Sequence, residues 1–244
     1  MRKQPKFRIL AWVAGIFLFA LLSGSLAVNA ASKDSGGSDG AAYAAPSAQA
    51  AAEQALVDSG AVVSTNSATG VASFVRLGDS SLRFAGSPEA QAAAFFDQYG
   101  AAFGIVDASA QLVESGRTEV GVAGSNIAYQ QVAGGVTVFA GVLKANFNAA
   151  GDLSAVSGTF IPKIAADTAV KLSAADAGAI GTNSFSAENA SADLTAVATT
   201  LYWYHTGLLQ GIAGDTILAY EVEAANADLS VRNFVYVDAR TGRV

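Results

Sequence analysis

Residues 129–158 read YQQVAGGVTVFAGVLKANFNAAGDLSAVSG, and the fold is decided here. Apolar residues alternate at Val136, Val138, Ala140 and Val142, the period-two rhythm of a strand with one buried face. Leu143, Ala145 and Phe147 follow in step and predict a second strand. Asn148-Ala149-Ala150-Gly151-Asp152 is a glycine-bearing hairpin turn, and Leu153 to Ser157 is the strand it leads into. These elements together spell an antiparallel sheet.

On the N-terminal side, Ser87-Pro88-Glu89 starts a helix: a capping hydroxyl, then proline at the first helical position, then an early acidic residue. Ala92, Phe95, Phe96, Tyr99 and Phe103 follow at helical spacing as one apolar stripe, and Gly104 is the stop. Laid across the sheet, each aromatic contributes about 2 kcal/mol by leaving water. Before this helix, Thr69-Gly70 turns into a strand at Val71 to Leu77, with Leu82 to Phe84 as its expected partner. Ala41 to Val57 is alanine-rich, with Pro46 at a helix start. On the C-terminal side a boundary falls near Phe160-Ile161-Pro162. Ser173 caps a second helix, with Asp176 reaching back to the cap amide; Gly178 and Gly181 predict that it is short, with 182–191 as a polar loop. Strands are expected at Ala196 to Tyr204, Ile217 to Ala224 and Val231 to Asp238. A helix followed by antiparallel strands, twice over, is an α+β architecture.

The wording of two stretches adds to their physics. Gln130-Gln131, Gly135-Val136, Val138-Phe139-Ala140-Gly141, Gly151 and Ser157-Gly158 resemble the fungalysin/thermolysin propeptide (FTP) domain, whose members carry a QQ-x-x-x-G-[IV]-P-V-F-G-like string. Thr137 stands where proline is usual, and Ala140 adds a residue's change in the VFG element. TGVASFVRL, from Thr69, also resembles that family's entry segment. Leu218-Ala219-Tyr220-Glu221-Val222 and Tyr236-Val237-Asp238-Ala239-Arg240-Thr241-Gly242 resemble the PepSY domain, which follows FTP in thermolysin-like precursors. The resemblance implies two consecutive cystatin-like units, each a helix on an antiparallel sheet. The expected layout is a signal peptide over 1–30, a spacer and short helix over 31–59, an FTP-like domain over 60–160 and a PepSY-like domain over 161–244.

Arg2, Lys3, Lys6 and Arg8 precede an apolar run from Ile9 to Leu22, and Val28-Asn29-Ala30 offers small residues for cleavage after Ala30. This is the layout of a secretory leader and implies a secreted or cell-envelope protein; left uncleaved, the run could serve as a membrane anchor. The leader holds four of the 14 basic residues and none of the 20 acidic ones, so the mature chain has a net charge of −10. Such a charge argues against nucleic acid and against an anionic membrane surface as partners. Ser32 to Gly40 is a Gly/Ser/Asp spacer. With no cysteine, the fold relies on packing alone.

Catalytic chemistry finds little to work with. A thermolysin-type zinc site needs an H-E-x-x-H helix, and the chain has a single histidine, His205. A half-exposed imidazole at a strand end is the expectation for it. Asx-type turns account for Asp152 and Asp238 without calcium. Gly134-Gly135 lacks the lysine and the helix of a phosphate loop. Tyr202, Trp203 and Tyr204 follow from strand propensity, and no basic cluster interleaves with them. Asn189-Ala190-Ser191 fits a glycosylation sequon. No catalytic residue, metal ligand or cofactor is expected.

The resemblance implies a function that needs none. In thermolysin-like precursors, FTP and PepSY form the prosegment that assists folding of the catalytic domain and inhibits it, in cis or as a separate chain. Asp238, Arg240, Thr241, Gly242, Arg243 and Val244 would then form an exit strand contacting the protease. The alternative is a stand-alone exported interaction module with a non-protease partner. Gly135 and Gly141 are expected to hold special backbone conformations, so that valine at either costs about 1 kcal/mol or more.

Overall fold

A computed structural model describes residues 45–119, 121, 124–165, 167–188 and 193–244. The leader, the Ser32–Gly40 spacer and the Asn189 sequon lie outside the described residues.

The chain begins with α1 (Pro46–Asp58), proline in its first turn, which buries Ala52 and Leu56. Strands β1 (Val62–Thr65) and β2 (Ala72–Arg76) pair antiparallel. Helix α2 (Pro88–Tyr99) starts as its sequence demands: the Ser87 hydroxyl accepts a hydrogen bond from the Ala90 amide at 3.4 Å. A 3-10 turn (Gly100–Phe103) extends it, and Gly104, at φ 83°, closes it in the left-handed region that favours glycine. Phe95, Phe96, Tyr99 and Phe103 are all buried. A short helix, α3 (Ala108–Gln111), leads into β3 (Leu112–Glu119), β4 (Ser125–Ala133), β5 (Val136–Phe147) and β6 (Leu153–Gly158). Helix α4 (Ala174–Glu188) then precedes β7 (Thr195–His205), β8 (Thr216–Ala225) and β9 (Arg232–Asp238).

The class is α+β. Among the described residues one nine-stranded sheet runs β1-β2-β6-β5-β7-β8-β9, with β4 paired to β5 and β3 to β4. Every pairing is antiparallel except one: Val138 of β5 meets Trp203 of β7 in parallel. Two cores line it. The first gathers the aromatics of α2 with Val75, Ile127, Leu143, Phe147 and Val156. The second gathers Val138, Ile161, Trp203, Leu218, Val222 and Val237 with Ala177 of α4.

Several expectations need correction. Residues 136–147 form one strand, not two. Val138, Gly141, Leu143, Ala145 and Phe147 are its buried positions, and Ala140, at φ 56°, is the irregularity between the first two. Here Gln130 faces Val142 but Val132 already faces Thr137, so β5 bulges away from β4 over 138–141. The partners of β2 are β1 and β6; Leu82 and Phe84 pack against the first core without joining the sheet. Helix α4 is not short: it spans 15 residues through both glycines. A Cβ at Gly181 would lie 2.9 Å from Val222 Cβ, and one at Gly178 would lie 3.1 Å from Thr199 Oγ1. The glycines are contact points with β7 and β8, and close packing outweighs their low helix propensity. The cap also differs in detail: the Ser173 hydroxyl donates to the Asp176 carboxylate at 2.7 Å and accepts from the Asp176 amide at 3.1 Å.

Candidate functional site

The two glutamines of the decisive stretch hold the junction of the sheet. Gln130 Nε2 donates to the carbonyls of Val138 and Gly141, each at 2.8 Å, on either side of the bulged Ala140. Gln131 is 2% exposed; its Nε2 donates to the Ile161 carbonyl at 2.7 Å and its Oε1 accepts from the Ile161 amide at 2.8 Å. The Gln130 bonds stand in for ladder bonds that the bulge removes, and the Gln131 bonds fasten the segment leaving β6. Gly135 does hold a left-handed φ of 78°. Gly141 does not: it is required because a Cβ there would lie 2.8 Å from Gln131 Oε1 and 3.0 Å from Val138 Cβ. Gln91, a further buried amide that no sequence pattern marks, donates to the Gly151 carbonyl at 2.9 Å and accepts from the Leu153 amide at 2.9 Å. It clamps α2 to the 148–152 hairpin turn. The side chain that shapes this turn is Asn148, whose Oδ1 accepts from the Ala150 and Asp152 amides, and not Asp152.

Beyond the junction, strand alternation sends Trp203, Leu218, Val222 and Val237 into the core under α4 and Tyr202, Tyr204, Glu221 and Tyr236 to the opposite face. Phe139 joins that face from β5. Its ring centroid lies 5.9 Å from Tyr202, 5.5 Å from Tyr204 and 5.3 Å from Tyr236, while Tyr204 and Tyr236 stack at 4.4 Å. The Tyr236 hydroxyl donates to Glu221 at 2.6 Å. Burial and this bond to a carboxylate push the Tyr236 phenol well up. Burial, and then the Glu221 charge, raise that of Tyr202.

A groove of about 670 Å³ opens beside this cluster, lined by Tyr204, Ile217, Phe234, Tyr236, Asp238 and Arg243 among others. The C-terminal residues reach it, but not as a strand. Strand β9 ends at Asp238, whose Oδ1 accepts from the amides of Arg240 and Thr241, each at 2.8 Å. Burial opposes the ionised form, but these amides hold the Asp238 carboxyl below the usual range. Gly242, at φ 74°, completes the reversal, and the Asp238 amide donates to the Arg243 carbonyl at 2.8 Å. The expected exit strand is therefore a closed turn, because the Asp238 carboxylate satisfies the amides that an extended strand would leave open. Arg240 anchors it, donating to the carbonyls of Asp167 and Ala169 and pairing with the Asp167 carboxylate at 3.0 Å. Asp238, Arg243 and Val244 come together along the groove; Arg240 and Thr241 are not part of its lining.

His205 is buried, 7% exposed, not half-exposed. Its Nδ1 lies 3.1 Å from Thr216 Oγ1, and its buried Nε2 has no hydrogen-bond partner among the described residues. Among the described residues no group of three or more His, Cys, Asp or Glu side chains could hold a metal ion, and no helix is long and apolar enough to cross a membrane.

Residues 118–160, from the end of β3 through β6, match the family described as the Fungalysin/Thermolysin Propeptide Motif, FTP. The match contains the Gln130-Gln131 pair, the bulge and the hairpin. The chain thus carries a protease-propeptide motif. No curated protein matches the chain. Among solved structures, the Bacillus megaterium YpeB C-terminal domain aligns at 10% identity with a TM-score of 0.33, over 82% of this chain and 95% of that one. That likeness is too distant to bear on function.

Proposed function

We propose that the chain is an exported, non-catalytic prosegment that inhibits a thermolysin-like zinc metalloprotease and assists its folding. Residues 60–160 would be its FTP-like half and 161–244 its PepSY-like half. The observation that carries this reading is the match of 118–160 to a propeptide motif, over the residues that knit the sheet. The basic and apolar N-terminal stretch supports export.

The physics of such a role is occupancy. A folded sheet surface complementary to the catalytic domain stabilises that domain's native state by mass action. A blocker linked in the same chain acts at high effective concentration. The closed Asp238–Val244 turn would set the direction in which the polypeptide approaches the cleft.

Titrating the purified chain into a thermolysin-like protease tests this. Hydrolysis is expected to fall as the chain's concentration rises, and His205→Gln is expected to inhibit equally well. Unchanged hydrolysis together with no detectable binding would overturn the reading. Loss of inhibition in a folded His205→Gln chain would instead restore a site at that imidazole.

A further inference from the structure

The outer face of β7, β8 and β9 sets the Glu221 carboxylate among aromatic rings, while a cation of this face, Arg232, is taken up by Glu223 and by the Phe234 ring, 5.0 Å from its centroid. Glu221 lies opposite Thr200 on one side and Tyr236 on the other, next to the cluster centred on Phe139. It accepts the Tyr236 hydroxyl but enters none of the ion pairs formed among the described residues. Its neighbour on the same face, Glu223, is paired with Arg232 at 2.7 Å. The contrast between the two matters. Ring faces carry negative quadrupole charge, and a carboxylate beside them deepens the same potential, so the patch favours a cation. Guanidinium suits it best, being flat, weakly hydrated and able to stack on a ring while bonding a carboxylate.

The surroundings suit a protein rather than a free ion. Tyr202, Tyr204 and Tyr236 are half-buried and keep part of each ring open to solvent. Phe234 is 43% exposed at the margin. Leu209 and Ile212, 66% and 60% exposed, stand on the loop whose stems, Thr206 and Asp215, line the groove. A polar anchor flanked by half-buried aromatic rings is the layout of an interface hot spot.

We propose that this face docks a protein partner that lays an arginine or lysine side chain on the tyrosine rings against Glu221. The proposal rests on the prosegment reading, and the partner is accordingly the catalytic domain of the zinc metalloprotease. Charge complementarity selects the occupant: a protein with 20 acidic and 14 basic residues offers here an unneutralised carboxylate, which a basic patch answers and an acidic surface does not.

The test is binding of the full chain to an inactivated thermolysin-like protease at low and high salt, comparing wild type with Glu221→Gln and Tyr204→Leu. Glutamine keeps an acceptor for Tyr236 and removes only the charge. Glu221→Gln is expected to bind tenfold more weakly or worse at low salt, to lose most of the salt dependence and to melt as wild type does. Tyr204→Leu, which keeps an apolar side chain on the strand, is expected to weaken binding without changing the salt dependence. If wild type binds and Glu221→Gln binds equally well, this docking surface is overturned and the prosegment reading stands. If wild type does not bind the protease at all, both fall. If the chain instead self-associates and Glu221→Gln abolishes that, the occupant is a second copy and the proposal is overturned.

Discussion

Helices α2 and α4 meet the sheet in opposite ways. Helix α2 stands on rings: Phe95 lies within 6.2 Å, centroid to centroid, of Phe84, Phe96, Tyr99 and Phe103. Helix α4 lies close on two glycines, with Val222 and Thr199 directly beneath them. The outer faces are reversed as well. Behind α2 the sheet shows Ser64, Arg76, Lys144, Asn146 and Ser157, with Phe74 the one ring among them. Behind α4 it shows Phe139, Tyr202, Tyr204 and Tyr236. The first half places nearly all its aromatics inside, where they stabilise the fold; the second buries Trp203 and Tyr220 but sets Tyr202, Tyr204 and Tyr236 on the outer face. Aromatic content alone says nothing about which use is made of it. Strand phase does.

The largest expected effect breaks the comparison at its ring side. Phe95→Ala should cost about 3–5 kcal/mol in denaturant unfolding, the range for a fully buried aromatic. Tyr202→Ala on the other half should cost about 1 kcal/mol, the worth of one edge contact. Equal losses would remove the inside-outside distinction. Next is the tie between the halves. Gln131→Ala leaves the buried amide and carbonyl of Ile161 unpaired and should lose about 2–4 kcal/mol. A neutral result would mean that water replaces the glutamine. On the close-packed side, Gly181→Ala should cost about 1–3 kcal/mol by overpacking against Val222. An increase in melting temperature, as helix propensity alone would give, would show that α4 can lift off its sheet.

The smallest effect concerns acid. Glu89 ionises at about 2, held down by the Ser87 hydroxyl, its own amide and Arg117. A folded value below the unfolded one means that the stabilisation is complete above the ordinary glutamate range, near 4.5, and is lost as pH falls toward 2. Glu89→Gln should therefore lower stability slightly at pH 7 and flatten the loss between those values. An unchanged acid limb would assign that limb to other carboxylates.

Much of this was legible in the chain itself. The Ser87-Pro88-Glu89 start, the ring spacing, the Gly104 stop and three C-terminal strands follow from local chemistry, and the structure has them within a residue or two. What stayed hidden depends on distant partners. Gly178 and Gly181 read as helix breakers because Val222 and Thr199, which they accommodate, lie far along the chain. His205 does end its strand but reads as half-exposed, because Thr216 becomes its neighbour only when β8 folds back. The aromatic face was visible as Tyr202 and Tyr204, yet Phe139 and Tyr236 join them only through the parallel rung and the β8–β9 register. Glu221 carries no local sign at all. Its place outside the ion pairs of the described residues is a property of the assembled face.

Ala140 has a consequence for how the length of this chain can vary. Between buried Val138 and buried Gly141 lie two residues where simple alternation has room for one. The surplus residue is exposed and left-handed, and the Gln130 amide grips the carbonyls on both sides of it. Without Ala140, Val138, Gly141 and Leu143 would still all point inward, by ordinary alternation. Insertion or deletion at this one position leaves the parity of the strand intact, whereas a single-residue change elsewhere in β5 would turn its inward side chains out.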